Sequence, residues 1–333
     1  MLFLTLKMLT NLTKFSISIL CGLLTSSYLM AQTGPWPNKP IKYVVPFAPG
    51  GVSDSVSRLI AQNLSIRLGQ PVVIENKAGV SGILGTQIVA KSAPDGYTII
   101  GGTITTHAVN PFFTANLGYD PVKDFVPVSL VGTVSNVLVI PANSRFSSVQ
   151  QIIEELKNKP NSLTYGTAGA GTSQHLSGQL FQSITNTQMR QIIYKGGSQA
   201  MVDLVGGQID MVFETVAAAK PMIDAKRVKV LAITSKNRSP NMPSTPSLSE
   251  LGVTGFEMQS WQGIFSPAGT PKAIIQKLSH EISQIIENPE VKDKLRGLGV
   301  EPDGRNSERF SEFQMTEIAK WGKVIKDAGI QAE

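Results

Sequence analysis

The stretch V-V-P-F-A-P-G-G-V-S-D, Val44 to Asp54, runs an apolar strand straight into two prolines and two adjacent glycines. Ile41 to Phe47 reads as the strand, and Val56, Leu59, Ile60, Leu64 and Leu68 keep helical spacing until Gly69 stops the pattern. A glycine corner between a strand and a helix lets a ligand approach bare backbone N–H groups. The helix dipole at that point favours negative charge. Asp54 falls in the first helical turn, where the same dipole favours its carboxylate; contact with a ligand cation is the sharper alternative.

Outward from this corner the alternation continues. Pro71 to Glu75 is a second strand, Ile83, Leu84, Ile88 and Val89 mark a helix, and Tyr97 to Ile100 is a third strand. A long extended stretch, Phe125 to Pro141, follows, then a helix announced by the capping-box pair Ser148 and Gln151. The cycle then repeats with strands Leu163 to Tyr165, Gln191 to Tyr194, Ile209 to Phe213 and Val228 to Thr234, and with helices around Leu176 and Ala200 to Val205. A second extended stretch, Phe256 to Pro267, precedes two closing amphipathic helices. Such repetition predicts an α/β fold of mostly parallel, doubly wound sheets. Two long crossings predict two domains joined by two linkers: 32–136 with 258–333, and 137–257, hinged about a cleft.

The chain has 333 residues, 41% hydrophobic and 16% charged, enough for a substantial core in two domains. Its formal charge is +6, but Lys7 and Lys14 lie in Met1 to Ala31, which holds no acid, so the remainder carries +4. No clustered Lys/Arg stripe accompanies that charge, which excludes a nucleic-acid partner. Lys7 and Lys14, the apolar Phe15 to Leu24 and the small residues around Thr25 to Ser27 predict a signal peptide, 1–31, cleaved after Ala31. Cys21 falls in the apolar part behind a bulky Leu20, so it is not read as a lipid anchor. No other cysteine occurs, so no thiol chemistry and no disulfide is expected after export, and the product is read as a soluble exported monomer.

A second corner, G-T-A-G-A-G-T-S-Q-H-L (Gly166 to Leu176), matches the first in kind: strand, glycines, helix. Ala78 to Gly82 adds another glycine run before a helix. Gly101-Gly102-Thr103 with Thr105, Thr106 and His107 adds hydroxyls after a strand. Corners of this kind sit at the carboxyl ends of strands, and two facing each other would clamp a small anion through N–H groups, hydroxyls and water. A phosphate loop, G-x-x-x-x-G-K-S/T, is missing, and Gln174 breaks the dinucleotide pattern. Ser173 and His175 with Asp203 or Asp210 could be drawn as a hydrolase, yet two residues apart at a helix start they point to different faces. No G-x-S-x-G elbow or H-E-x-x-H metal pair occurs. Neither a cofactor nor a metal is expected. Phe47 and Tyr194, each ending a strand at a corner, are the aromatics placed to face a ligand, and Trp261 is read as a core or hinge aromatic.

Read together, P-F-A-P-G-G-V-S-D, N-K-A-G-V-S-G-I-L-G (Asn76 to Gly85), P-D-G-Y-T (Pro94 to Thr98), the second corner, Y-K-G-G-S-Q-A (Tyr194 to Ala200), G-G-Q-I-D-M-V-F (Gly206 to Phe213) and S-P-A-G-T-P (Ser266 to Pro271) resemble the Bug receptors. These are the extracytoplasmic solute receptors of tripartite tricarboxylate transporters. The resemblance implies a type II periplasmic binding protein that closes on a small carboxylate and is no enzyme: a di- or tricarboxylate, an acidic amino acid or an aromatic acid. It implies as partners the membrane permease subunits of such a transporter, or a sensor kinase. Carried over by motif, the ligand contacts are Phe47, Ala48, Gly50 and Gly51 on the first corner, Ser81 and Thr105 from the same domain, and Gly169, Thr172, Ser173 and His175 on the second, with Tyr194 and Asp210 nearby. Ser81 stands where the family more often has glycine, and Ile193 where it often has proline. Two rival readings remain: an exported hydrolase built on Ser173 and His175, and a sensory binding protein without a transporter.

Overall fold

The computed structural model describes residues 35–327 and 329, apart from 195 and 241. The expected signal peptide, with Cys21 inside it, lies outside the described residues. Met1–Lys39 and Pro40–Glu333 form separate units, and the second holds every element described below.

The first elements alternate as β1 (Ile41–Val45), α1 (Val52–Leu68), β2 (Val72–Asn76), α2 (Ile83–Ala90) and β3 (Thr98–Thr103). Val56, Ile60 and Leu64 form the buried stripe of α1, spaced four apart on one face. Gly69 ends that helix in the left-handed region at φ +66°, a position glycine takes without steric cost. β1 pairs in parallel with both β2 and β3.

β4 spans Phe125–Pro141, seventeen residues, the bounds read from the sequence as an extended crossing. After it come α3 (Val149–Asn158), β5 (Thr164–Thr167), α4 (Ser173–Thr185), β6 (Arg190–Ile193), α5 (Gly197–Val205), β7 (Met211–Thr215), α6 (Val216–Asp224) and β8 (Val228–Ile233). The chain closes with β9 (Gln259–Pro267), α7 (Lys272–Glu287), α8 (Pro289–Gly297), β10 (Glu301–Pro302) and α9 (Ser307–Asp327). Ser148 caps α3 by accepting from the Gln151 N–H, as its capping-box signature predicts.

β4 changes partners midway. Up to Ser135 it pairs antiparallel with β9, and from Asn136 onward it pairs with β7 and β8. β9 is antiparallel to β3 as well, so β3 and β4 run the same way; β7 runs against β4 and parallel to β5, which is parallel to β6. The carboxyl end of β3 lies level with Gly132, through Gln262, and that of β7 lies level with Asn136. Strands of the two halves therefore point at each other across the middle of β4, which brings their carboxyl-end corners together.

The principal core runs through both halves, with Trp261, Phe265, Phe310, Tyr165, Phe181 and Phe213 fully buried. Trp261 packs edge-on to Phe310, with ring centroids 5.6 Å apart, so the core reading of that residue is the observed one. α4 lies so close to β5 that a Cβ at Gly178 would fall 2.2 Å from the Tyr165 ring.

Candidate functional site

The first corner is tied from within by Asp54, which is only 3% exposed. Its carboxylate accepts from the Gly50 N–H at 2.9 Å, the Arg58 Nε at 2.9 Å and the Asn76 Nδ2 at 2.8 Å. Asn76 also donates to the Phe47 carbonyl at 3.1 Å. The Arg58 hydrogen bond, with help from Gly50 and Asn76, holds the Asp54 carboxyl down at about 2. Asp54 thus fixes the P-F-A-P-G-G turn rather than facing a ligand cation, and the Gly50 N–H is already engaged. Gly51 caps α1 without a side-chain hydrogen bond, which leaves first-turn donors of α1 beside the exposed backbone of Ala48 to Gly51.

Behind the corner lies the second glycine run. Ser81 and Gly82 are both left-handed, at φ +49° and +74°, which gives a physical reason for glycine at these two positions. Gly82 has no room for a side chain: a Cβ would fall 2.7 Å from Thr106 Cγ2 and 3.1 Å from the Phe47 ring. Phe47 therefore packs inward on this run. The Ser81 carbonyl accepts from Asn110 Nδ2 at 3.0 Å. Thr105 opens a π-turn, Thr105–Val109, and its hydroxyl reaches across to the Gly171 carbonyl at 3.5 Å. That contact joins the Gly101-to-His107 segment to the second corner. His107, by contrast, is a core residue: fully buried, stacked on Phe265 at 3.8 Å and driven by burial down to about 3, it is neutral at physiological pH.

The second corner is built on Gly169 and Gly171, at φ +105° and +72°. Thr172 caps α4, its hydroxyl accepting from the His175 N–H while donating to the Gly169 carbonyl at 2.7 Å. The imidazole of His175 accepts the Gly171 N–H through Nδ1 at 3.3 Å, and its ring meets Phe113 edge-on at 5.7 Å. Burial lowers His175 to about 4, so it serves as a neutral acceptor that shapes the loop. Ser173 Oγ accepts from Asn136 Nδ2 at 3.1 Å. Ser173 and His175 turn to different partners, which is not the arrangement of a nucleophile and its base.

Two residues carried over by motif are held elsewhere. The Tyr194 ring covers Gly166 and its hydroxyl donates to Asp203 Oδ2 at 2.9 Å, on α5; burial and that carboxylate push the phenol up to about 12. Asp210 is corrected outright. Its carboxylate accepts from the N–H and hydroxyl of Thr164 at 2.7 and 2.8 Å, at the amino end of β5, whereas the corner lies at the carboxyl end. It ties two strand starts together.

Three polar residues that the sequence reading did not assign to the site are buried where the halves meet. Asn136, the β4 residue at which pairing changes, donates to Ser173 and to the Phe213 carbonyl at 2.8 Å, while its Oδ1 is buried with no partner. Gln174, the second residue of α4, donates to both oxygens of Glu214 at 3.3 and 3.4 Å. Glu214 is 3% exposed and burial raises its pKa. A polar residue inside an apolar strand, as in M-V-F-E-T, is the only signal that could have found it. Among the described residues no cluster of three His, Cys, Asp or Glu could hold a metal ion, and no helix is long and apolar enough to cross a membrane.

Two α/β halves on a shared crossing strand, with strand-end corners meeting between them, define a bilobal solute-binding protein. The chain belongs to the tripartite tricarboxylate transporter family receptors, whose sequence profile matches residues 56–330. It is 34% identical to protein BugT of Bordetella pertussis (strain Tohama I) over 295 residues, 88% of this chain and 90% of that one, which places it with the Bug receptors. R. palustris Rpa4515, solved with adipate, is 36% identical with a TM-score of 0.79, over 90% of this chain and 100% of that one. MatC of Rhodopseudomonas palustris, solved with bound malate, is 31% identical with a TM-score of 0.74, over 87% and 100%.

Proposed function

We propose that this receptor captures a small dicarboxylate between its two halves and hands it to the membrane permease of a tripartite tricarboxylate transporter. The observation that carries the reading is the meeting of the corners: Thr105 bonded to Gly171 brings the second corner, with its dipole-bearing helix end, against the first half. The relatives solved with adipate and malate support a dicarboxylate as the ligand class. We take the halves as domains 32–136 with 258–333 and 137–257, hinged where β4 changes partners, and the mature protein as periplasmic. The contacts we assign to the ligand are the backbone of Ala48 and Gly51, Phe47, Ser81 and Thr105 from one half, and Gly169, Thr172 and Ser173 from the other. Gly50 and His175 hold their own corners.

The receptor performs no catalysis in this reading. Ser173→Ala separates it from the hydrolase alternative. A receptor variant keeps its fold and loses at most about tenfold in adipate or malate affinity, one hydrogen bond's worth. Ester or amide turnover by the native protein that vanishes in Ser173→Ala would overturn the reading.

A further inference from the structure

The corner Y-K-G-G-S-Q-A opens a helix after a strand, yet the reading above gives it no ligand contact. α5 begins there at Gly197, after a Gly196 cap that supplies no side-chain hydrogen bond. A helix start of this kind has unsatisfied donors and a positive dipole end. It is nevertheless not vacant, because an internal carboxylate stands against it. Glu214, at the carboxyl end of β7, is so close that a Cβ on Gly197 would fall 2.1 Å from its Oε2 and 2.9 Å from Gln174 Nε2. The same carboxylate accepts from Gln174 at the start of α4 and from the Thr215 N–H at 2.7 Å, with the Thr215 hydroxyl at 3.3 Å. Burial raises its pKa, but each hydrogen bond it receives, from the Thr215 N–H, the Gln174 amide and the Thr215 hydroxyl, favours the charged form.

We propose that Glu214 determines the charge selectivity of the receptor: its buried carboxylate, lodged between the starts of α4 and α5, repels a third ligand carboxylate. The inference rests on the carboxylate-receptor reading above. Ligand charge is then confined to the first and second corners, where no acidic side chain turns outward, Asp54 being folded into its own turn. A tricarboxylate would have to bring its extra charge towards the buried Glu214, where like charges repel strongly. Replacing the acid by its neutral isostere removes that repulsion while keeping the side chain's volume.

The test compares adipate and tricarballylate by isothermal titration calorimetry at pH 8 and fixed ionic strength, on the purified wild-type protein, Glu214→Gln and Glu214→Asp. The ratio of tricarballylate to adipate affinity rises at least tenfold in Glu214→Gln and stays within about threefold of wild type in Glu214→Asp, which keeps the charge. Should Glu214→Gln fail to fold by circular dichroism, Glu214→Ala replaces it with the same expectation. An unchanged ratio in the folded neutral variant, or an equal rise in Glu214→Asp, overturns the selectivity role and leaves the receptor reading intact. Wild-type protein that binds neither these two acids nor any other small carboxylate overturns both.

Discussion

At the scale of single residues, the acid that opens the first helix and the two buried histidines make the account testable by pH. Asp54 has a folded pKa of about 2 against an ordinary 3.8, so its stabilisation is complete above about pH 4 and is lost as pH falls towards 2. Asp54→Asn is expected to lower unfolding free energy at pH 7 by about 1–2 kcal/mol, the worth of charge-assisted bonds to Gly50 and Arg58. In urea titrations the gap to wild type should close below pH 4. The histidines act in the other pH window. His107 and His175 titrate at about 3 and about 4 when folded, against an ordinary 6.5, so the unfolded chain binds protons first as pH drops below 6.5. Stability should therefore fall from pH 7 to pH 5, by roughly 2 kcal/mol per histidine, and His175→Gln should reduce that fall. Equal urea midpoints at pH 7 and pH 5 would contradict the buried neutral assignment. From sequence alone Asp54 was legible as a first-turn acid, because position suffices for that. Its grip on Gly50 and Asn76 was not, because Asn76 comes from the next strand.

Among the elements, the corners owe their shape to caps and close approaches. Thr172→Ala removes the cap of α4 and the tie to Gly169, and should cost about 1 kcal/mol while lowering ligand affinity through a looser corner. Gly178→Ala drives a methyl into the Tyr165 ring and should cost about 1–3 kcal/mol in thermal unfolding, with little change in affinity because it lies a turn inside the helix. The elements legible in the sequence were those with clean punctuation. β4 was read with its true bounds, α1 with its Gly69 stop, and α3 with its Ser148 cap. α6 escaped because it follows β7 without a break and carries Pro221 inside it, a residue that argues against a helix interior. α8 was not read at all: it is short, and Val291 and Leu295 alone give it a buried face, too little apolar pattern to announce a helix. Asp210 was carried over by motif, and a motif does not show that the residue stands at the amino end of β7, where the parallel register with β5 sets it beside Thr164. Glu214 and Asn136 were invisible because each is one polar residue in an apolar run, and only tertiary packing gives it partners.

For the whole molecule, function depends on two opposed sets of strand ends meeting over one long strand. β4 passes from β9 to β7 and β8 between Ser135 and Asn136, so a small rotation there moves both corners relative to each other. On the proposed function the protein grips a ligand from two sides, with backbone donors and helix ends supplying most of the attraction. Binding should then stabilise the folded chain in proportion to ligand excess. At 100 times its dissociation constant a ligand adds about 2.7 kcal/mol, a rise of roughly 5 °C in unfolding temperature for a protein of this size. The most direct measurement is a thermal-unfolding screen of the purified protein against small mono-, di- and tricarboxylates, with sugars, amines and divalent metal ions alongside. The account predicts a saturable rise of several degrees for at least one dicarboxylate; no rise with any carboxylate, together with a clear rise for a sugar or a metal ion, would contradict it.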